Sequence, residues 1–210
     1  MPQAAGQITL HADNLSKNFD RKIIFKNVSF TLTNGSSIAI TGKNGSGKST
    51  LIKILSTVLN QTSGDINLRI NGKVIERSRF YNFIGLVSPY LNLYDEFTGY
   101  ENLKFVSSIR GNIEKNIIND VLTKVGLYDR RNDLLRIYSS GMKQRLKIAF
   151  AILHNPPILL LDEPTDNLDS EGIKIVDEIV SEYKKDRILI IATNNEYEKS
   201  YCEKEIRITQ

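Results

Sequence analysis

Residues 42–50, Gly42-Lys43-Asn44-Gly45-Ser46-Gly47-Lys48-Ser49-Thr50, combine three glycines with lysine and hydroxyl side chains in a way that suits the phosphates of a nucleotide. Glycines permit tight left-handed turns, so successive backbone N–H groups can wrap phosphate oxygens, and a following helix adds the positive end of its dipole. Lys48 would reach the β/γ-phosphates, and the Ser49 hydroxyl would ligate Mg²⁺. Farther along, Ile158-Leu159-Leu160-Leu161-Asp162-Glu163-Pro164 ends an apolar run in two carboxylates. Asp162 would hold Mg²⁺ directly or through water, and Glu163 would polarise an attacking water. Taken singly, the first segment is also a glycine-rich turn and the second an acidic strand-to-loop junction. Together they supply the cation clamp and the water-orienting group that phosphoryl transfer needs.

Such a loop works only between a buried strand and a helix. Ser37-Ile38-Ala39-Ile40-Thr41 reads as the strand and Thr50 to Leu59 as the helix. Further short strands are expected at Gln7 to Ala12, Val28 to Leu32, Ile66 to Ile70 and Lys73 to Ile75, with turns at Asn34-Gly35, Ser63-Gly64-Asp65 and Asn71-Gly72. From about Glu101 to Leu153 the apolar residues take helical spacing, as in Ile117, Val121, Leu122 and Val125. The apolar runs 158–161 and 188–192 suit strands of a parallel sheet buried on both faces. A helix from about Ser170 to Lys185 has the length of a right-handed crossover between them. The polar stretch after Thr193 is too short for a domain.

Composition bounds the setting. With 210 residues, 40% of them apolar, the chain can bury a real core. Its 28 basic and 24 acidic residues are spread along the chain, so charge points to no nucleic-acid partner. The single cysteine, Cys202, forms no internal disulfide, which fits a reducing, cytoplasmic setting. No apolar run approaches about 18 residues and no leader pattern opens the chain, so contact with a membrane is expected only through a partner that spans it.

Between the loop and the carboxylates lies Tyr138-Ser139-Ser140-Gly141-Met142-Lys143-Gln144-Arg145, alone no more than a serine N-cap on a basic helix. In this order the three segments resemble the ATP-binding cassette (ABC) ATPases, whose signature usually reads LSGGQ. The resemblance spans nearly the whole chain. It implies one α/β domain over 1–210: a P-loop NTPase with a RecA-like mixed sheet core flanked by helices, an N-terminal antiparallel β-subdomain and an inserted α-helical subdomain. Residues 1–88 and 156–210 would form the β-subdomain and nucleotide-binding core, and 89–155 the helical insert. It further implies that Ser139, Ser140, Gly141 and Met142 act in trans on ATP held by a second ATPase subunit, a homodimer being expected. Thr165-Asp166-Asn167-Leu168-Asp169 resembles the D-loop, which communicates across that dimer, with Asp169 in its final place. Phe19 resembles the aromatic residue on which adenine stacks, though it is also a candidate for the core. Thr98 and Glu101-Asn102-Leu103 resemble the segment facing a transmembrane permease subunit. The implied cofactors are ATP and Mg²⁺. The implied activity is ATP hydrolysis powering a separate membrane subunit, most like the ATPases of small exporters of the ABC-2 and haem-exporter types. An ATP-gated dimerising switch with little turnover is the alternative.

Two departures bear on rate. The family's glutamine after a GYVP-like stretch is replaced in Gly85-Leu86-Val87-Ser88-Pro89 by Pro89, which has no side-chain donor or acceptor. The family's Thr-His at the end of the last buried strand is here Thr193-Asn194, and an asparagine amide carries no positive charge. Losing a preorganised donor of that kind costs about 2.7–4 kcal/mol, or about 10²–10³ in rate. Slow turnover is therefore expected, with Glu163 the main base and Asn194 a neutral donor to the γ-phosphate.

Overall fold

A computed structural model of the chain describes residues 6–111 and 113–209; the first five residues, residue 112 and Gln210 of the expected single domain lie outside the described residues. In chain order the elements are β1 (Ile8–Phe19), β2 (Lys22–Thr33), β3 (Ser37–Thr41), α1 (Lys48–Leu55), β4 (Ser63–Ile70), β5 (Lys73–Ile75), β6 (Ile84–Val87) and α2 (Gly99–Arg110). Then come α3 (Lys115–Lys124), α4 (Ser140–Ile152), β7 (Ile158–Asp162), α5 (Ser170–Asp186), β8 (Ile188–Ala192), α6 (Glu196–Lys199) and β9 (Lys204–Arg207).

The strands divide into two sheets. One is antiparallel in the order β2-β1-β4-β5, and the other runs β6-β7-β8-β3-β9 with every pair parallel. Every residue of β3, β7 and β8 is buried, as their uninterrupted apolar runs demand. Because side chains alternate along a strand, each run feeds two cores. Ile38, Ile40, Ile158, Leu160 and Ile190 face α1 and the antiparallel sheet. Leu159, Leu161, Leu189 and Ile191 face Leu103, Leu122, Leu146 and Val176 of the helices. The helices of the 89–155 segment thus share a core with α5 and one face of the parallel sheet.

Several boundaries differ from the sequence expectation. The first two strands form a long ribbon of 12 residues each, because their polar alternate positions face solvent while Leu10, Ala12, Phe25 and Val28 stay buried. Ser63-Gly64-Asp65 opens β4 instead of a turn, since β1 is long enough to pair with it as far as Ser16↔Ser63. Helix α1 begins at Lys48 and ends at Leu55, with Thr57 turned to φ 64° just beyond. Strands β6 and β9 went unexpected: β9 is Lys-Glu-Ile-Arg, with no apolar run to mark it, and β3 draws it into the sheet edge. At Asn71-Gly72 both residues have positive φ, 53° and 75°, the expected hairpin turn.

Candidate functional site

Register sets the floor of the site. Asp162 pairs with Ala192 and Ala192 with Ile40, so β7, β8 and β3 end side by side. The three segments that leave these strands meet in one place: Glu163-Pro164 from β7, Thr193-Asn194 from β8 and the glycine-rich loop from β3. The alignment continues past the strands, with Glu163 N–H donating to the Ala192 carbonyl and Thr193 N–H to the Ile40 carbonyl, both at 3.0 Å. This carboxyl edge is where open α/β sheets hold ligands.

Gly47 caps α1 at φ 105°, a conformation costly for any side chain, and a Cβ there would stand 2.5 Å from Ile24 Cγ2. The helix therefore opens at Lys48 with its first N–H groups turned to the loop. The Lys48 ammonium is buried and donates to the Gly42 carbonyl at 3.0 Å. The Ser49 hydroxyl lies beside the Asp162 carboxylate, whose Oδ2 is buried without a partner, as is Ser46 Oγ. An orphaned carboxylate oxygen beside a serine hydroxyl suits a divalent cation, and an orphaned hydroxyl in a loop of N–H groups suits a phosphate oxygen. Among the described residues no group of three or more His, Cys, Asp or Glu could hold a metal by itself.

Electrostatics work against ionisation here. Burial pushes the Asp162 carboxyl up, opposed by the Ser49 hydroxyl and by the charges of Lys48 and Lys53. Burial also raises Glu163, reinforced by Asp166 and Asp162 and opposed by Lys48. Glu163 holds φ 51°, a left-handed backbone that costs a non-glycine residue about 1–2 kcal/mol.

The other sequence-derived residues fall around this edge. Ser139 caps α4 by accepting from Met142 N–H at 3.2 Å, and Ser140 is the helix's first residue. A Cβ on Gly141 would lie 2.9 Å from the Asn167 carbonyl, so the start of α4 rests against the 165–169 loop. Asp169 caps α5, accepting from Gly172 N–H at 2.8 Å. Phe19 ends β1 and is 46% exposed with the Lys17 ammonium 4.7 Å from its ring centre, so it is no core residue.

Both departures have structural partners. Asn194 Nδ2 donates to Asn44 Oδ1 of the loop at 2.8 Å. The Pro89 carbonyl accepts from Lys147 Nζ of α4 at 3.2 Å, and Lys53 of α1 places its ammonium 3.8 Å from the centre of the Tyr90 ring. Two further polar residues join the site without a role expected from the sequence, although Gln144 lies in the signature-like segment. Gln144, buried on α4, donates from Nε2 to the carbonyls of Pro164 (3.2 Å) and Glu163 (3.5 Å). Glu198, 1% exposed, accepts at Oε1 from Thr165 N–H (2.8 Å) and Thr165 Oγ1 (2.6 Å). Its run Glu-Tyr-Glu-Lys gives no signal that one carboxylate turns inward.

The model of the ABC transporter family matches residues 25–166. Among similar proteins, the uncharacterized ABC transporter ATP-binding protein YdbJ of Bacillus subtilis (strain 168) is 38% identical over 165 residues, 79% of this chain and 54% of that one. The lantibiotic transport ATP-binding protein SrtF of Streptococcus pyogenes is 36% identical over 186 residues, 89% of this chain and 80% of that one. A solved structure of a dimeric ATP-binding cassette in a post-hydrolysis state, bound to ADP and Pi, matches with a TM-score of 0.83 at 25% identity, covering 95% of this chain and 94% of that one. The chain spans about half the length of the first of these relatives.

Proposed function

The chain belongs to the ABC transporter family, and on that premise we propose that it binds and hydrolyses ATP as the subunit that powers a separate membrane-spanning exporter subunit. The observation that carries this reading is the buried Asp162 Oδ2 without a partner, beside Ser49 and on a level with the phosphate loop. In it, the N–H groups of residues 42–50 and Lys48 bind the phosphates, Ser49 and Asp162 hold Mg²⁺, Phe19 stacks on adenine and Glu163 orients the lytic water. Mg²⁺, when bound, supplies charge neutralisation at the β- and γ-phosphates. Ser139, Ser140, Gly141 and Met142 serve the ATP of a second copy, and Asp169 fixes the loop between the two sites. Turnover is slow, because Asn194 offers a neutral amide already engaged with Asn44.

The membrane partner has a surface to dock on. Tyr81, Leu93, Tyr94, Phe105, Ile109 and Phe150 line an apolar groove of about 280 Å³ beside α2, and the rings of Tyr94, Phe97 and Phe105 lie 5.2–6.3 Å apart. No helix among the described residues is long and apolar enough to cross a membrane. In this reading the chain works from the cytoplasmic face through its partner, and a relative named for lantibiotic transport supports a transport role.

ATP hydrolysis and size in ATP, measured on the wild type, Lys48→Ala and Glu163→Gln, test the proposal. Turnover in the wild type, lost in both variants, with Glu163→Gln held as a dimer by ATP, supports it. ATP-driven dimerisation without turnover in the wild type favours the switch reading, which Pro89 and Asn194 motivate.

A further inference from the structure

The turn that carries Glu163 is gripped from two sides. Its left-handed backbone is sparsely populated and persists only where the surroundings over-determine it. Glu163 N–H is tied to β8, and the next residue, Pro164, has no N–H to offer. Within the turn the Glu163 carbonyl accepts from Asp166 N–H at 3.3 Å, and two side chains from distant elements add further bonds. From α4, Gln144 donates to the Glu163 and Pro164 carbonyls; from α6, Glu198 accepts from the Thr165 amide and hydroxyl.

Glu198 is an unexpected choice on electrostatic grounds. Its charge raises the carboxyls of both Asp162 and Glu163, so a buried carboxylate next to buried Asp162 and half-buried Glu163 makes the site less favourable for anions. Its two short charge-assisted bonds to Thr165 are what offset that repulsion. Gln144 lies on the helix that begins at Ser140, so any rotation of α4 about its signature end drags on the Glu163 and Pro164 carbonyls.

We infer that Gln144 and Glu198 are positioning residues for Glu163, a donor and an acceptor that hold its turn in one conformation and couple it to the signature helix. The inference rests on the reading of Glu163 as the water-orienting group and adds how that group is aimed. It also supplies a path within one chain: a signature helix that engages a neighbour's nucleotide resets its own Glu163.

The test uses the full chain and Mg-ATP, with turnover and nucleotide affinity measured separately. Gln144→Met and Glu198→Ala each lower kcat by about a hundredfold, the scale of a small misplacement of a reacting group, while ATP affinity stays unchanged. Glu198→Gln, which keeps an acceptor for the Thr165 amide, restores most of the turnover. Glu198→Ala combined with Thr165→Val costs no more than either alone, and Thr165→Val carries the test if Glu198→Ala does not fold. Unchanged kcat in folded Gln144→Met and Glu198→Ala overturns the inference. So does a fall in kcat matched by equal falls in nucleotide affinity and thermal stability, the mark of general loosening. Glu163→Gln is run alongside: if it turns over like the wild type, the role of Glu163 fails, whatever the other variants do.

Discussion

Asp162 sits where ionisation is costly. Burial raises its folded-state pKa, so the native chain holds that proton more tightly than the unfolded chain. The stability it contributes is present below the unfolded value of about 4 and is lost as pH rises through the raised folded value. At neutral pH without metal or nucleotide the carboxylate is a burden, and Asp162→Asn is expected to raise the melting temperature in EDTA while abolishing Mg-ATP turnover. A lower melting temperature for that variant would sink the argument. Burial likewise pushes the lone thiol, Cys202, up to about 12. Native protein at pH 8 should therefore react with iodoacetamide far more slowly than protein in urea, and equal rates would refute the shift. At Asn194 the expectation concerns rate: Asn194→Ala should lower kcat, and Asn194→His should raise it, by up to the 10²–10³ or so that one preorganised donor is worth. At this scale the sequence was legible for position more than for role, as with Lys48, which follows Gly47 and opens α1. Gln144 and Glu198 were not, because only tertiary packing turns an ordinary helical polar side chain inward.

Among the elements, α2 and α4 show how local sequence sets orientation. Thr98 and Glu101 form a reciprocal capping box at the start of α2, Glu101 N–H donating to Thr98 Oγ1 at 3.1 Å and Thr98 N–H to Glu101 Oε2 at 2.8 Å. Thr98→Ala should cost about 1 kcal/mol in denaturant unfolding, and no loss would mean the cap is redundant. At α4 the cap, the contact of Gly141 with the Asn167 carbonyl and the bonds of Gln144 all lie on one short stretch. Ser139→Arg should leave ATP binding by the isolated chain intact and prevent ATP-driven dimerisation; dimers of normal size would remove the role in trans. Strands β3, β7 and β8 were readable because burial on both faces requires an unbroken apolar run. Strand β9 was not, because an edge strand of alternating charge resembles solvated chain until β3 offers it hydrogen bonds.

For the molecule as a whole, two surfaces carry the proposed work. One is the edge where the phosphate loop awaits a second copy, and the other is the aromatic groove beside α2. Phe105→Ser with Ile109→Ser should abolish recovery of a membrane partner with the chain while leaving ATP hydrolysis in solution unchanged. Loss of both activities together would show that the groove supports the fold and not a partner. The groove was hidden from sequence reading because its residues come from separate segments and its apolar side chains follow no single period.

The side-by-side ending of β3, β7 and β8 has a consequence for biogenesis. The phosphate loop is synthesised well before β7 and β8, the strand that ends in Asp162 and the strand that stands between it and β3. A chain still in synthesis therefore carries the loop without the opposing carboxylates, and cellular ATP gains its full grip only when residues 188–207 have joined the sheet. Ligand that binds only the assembled sheet stabilises it by mass action, so under the proposed function nucleotide would favour chains whose β8 has joined β3 and β7.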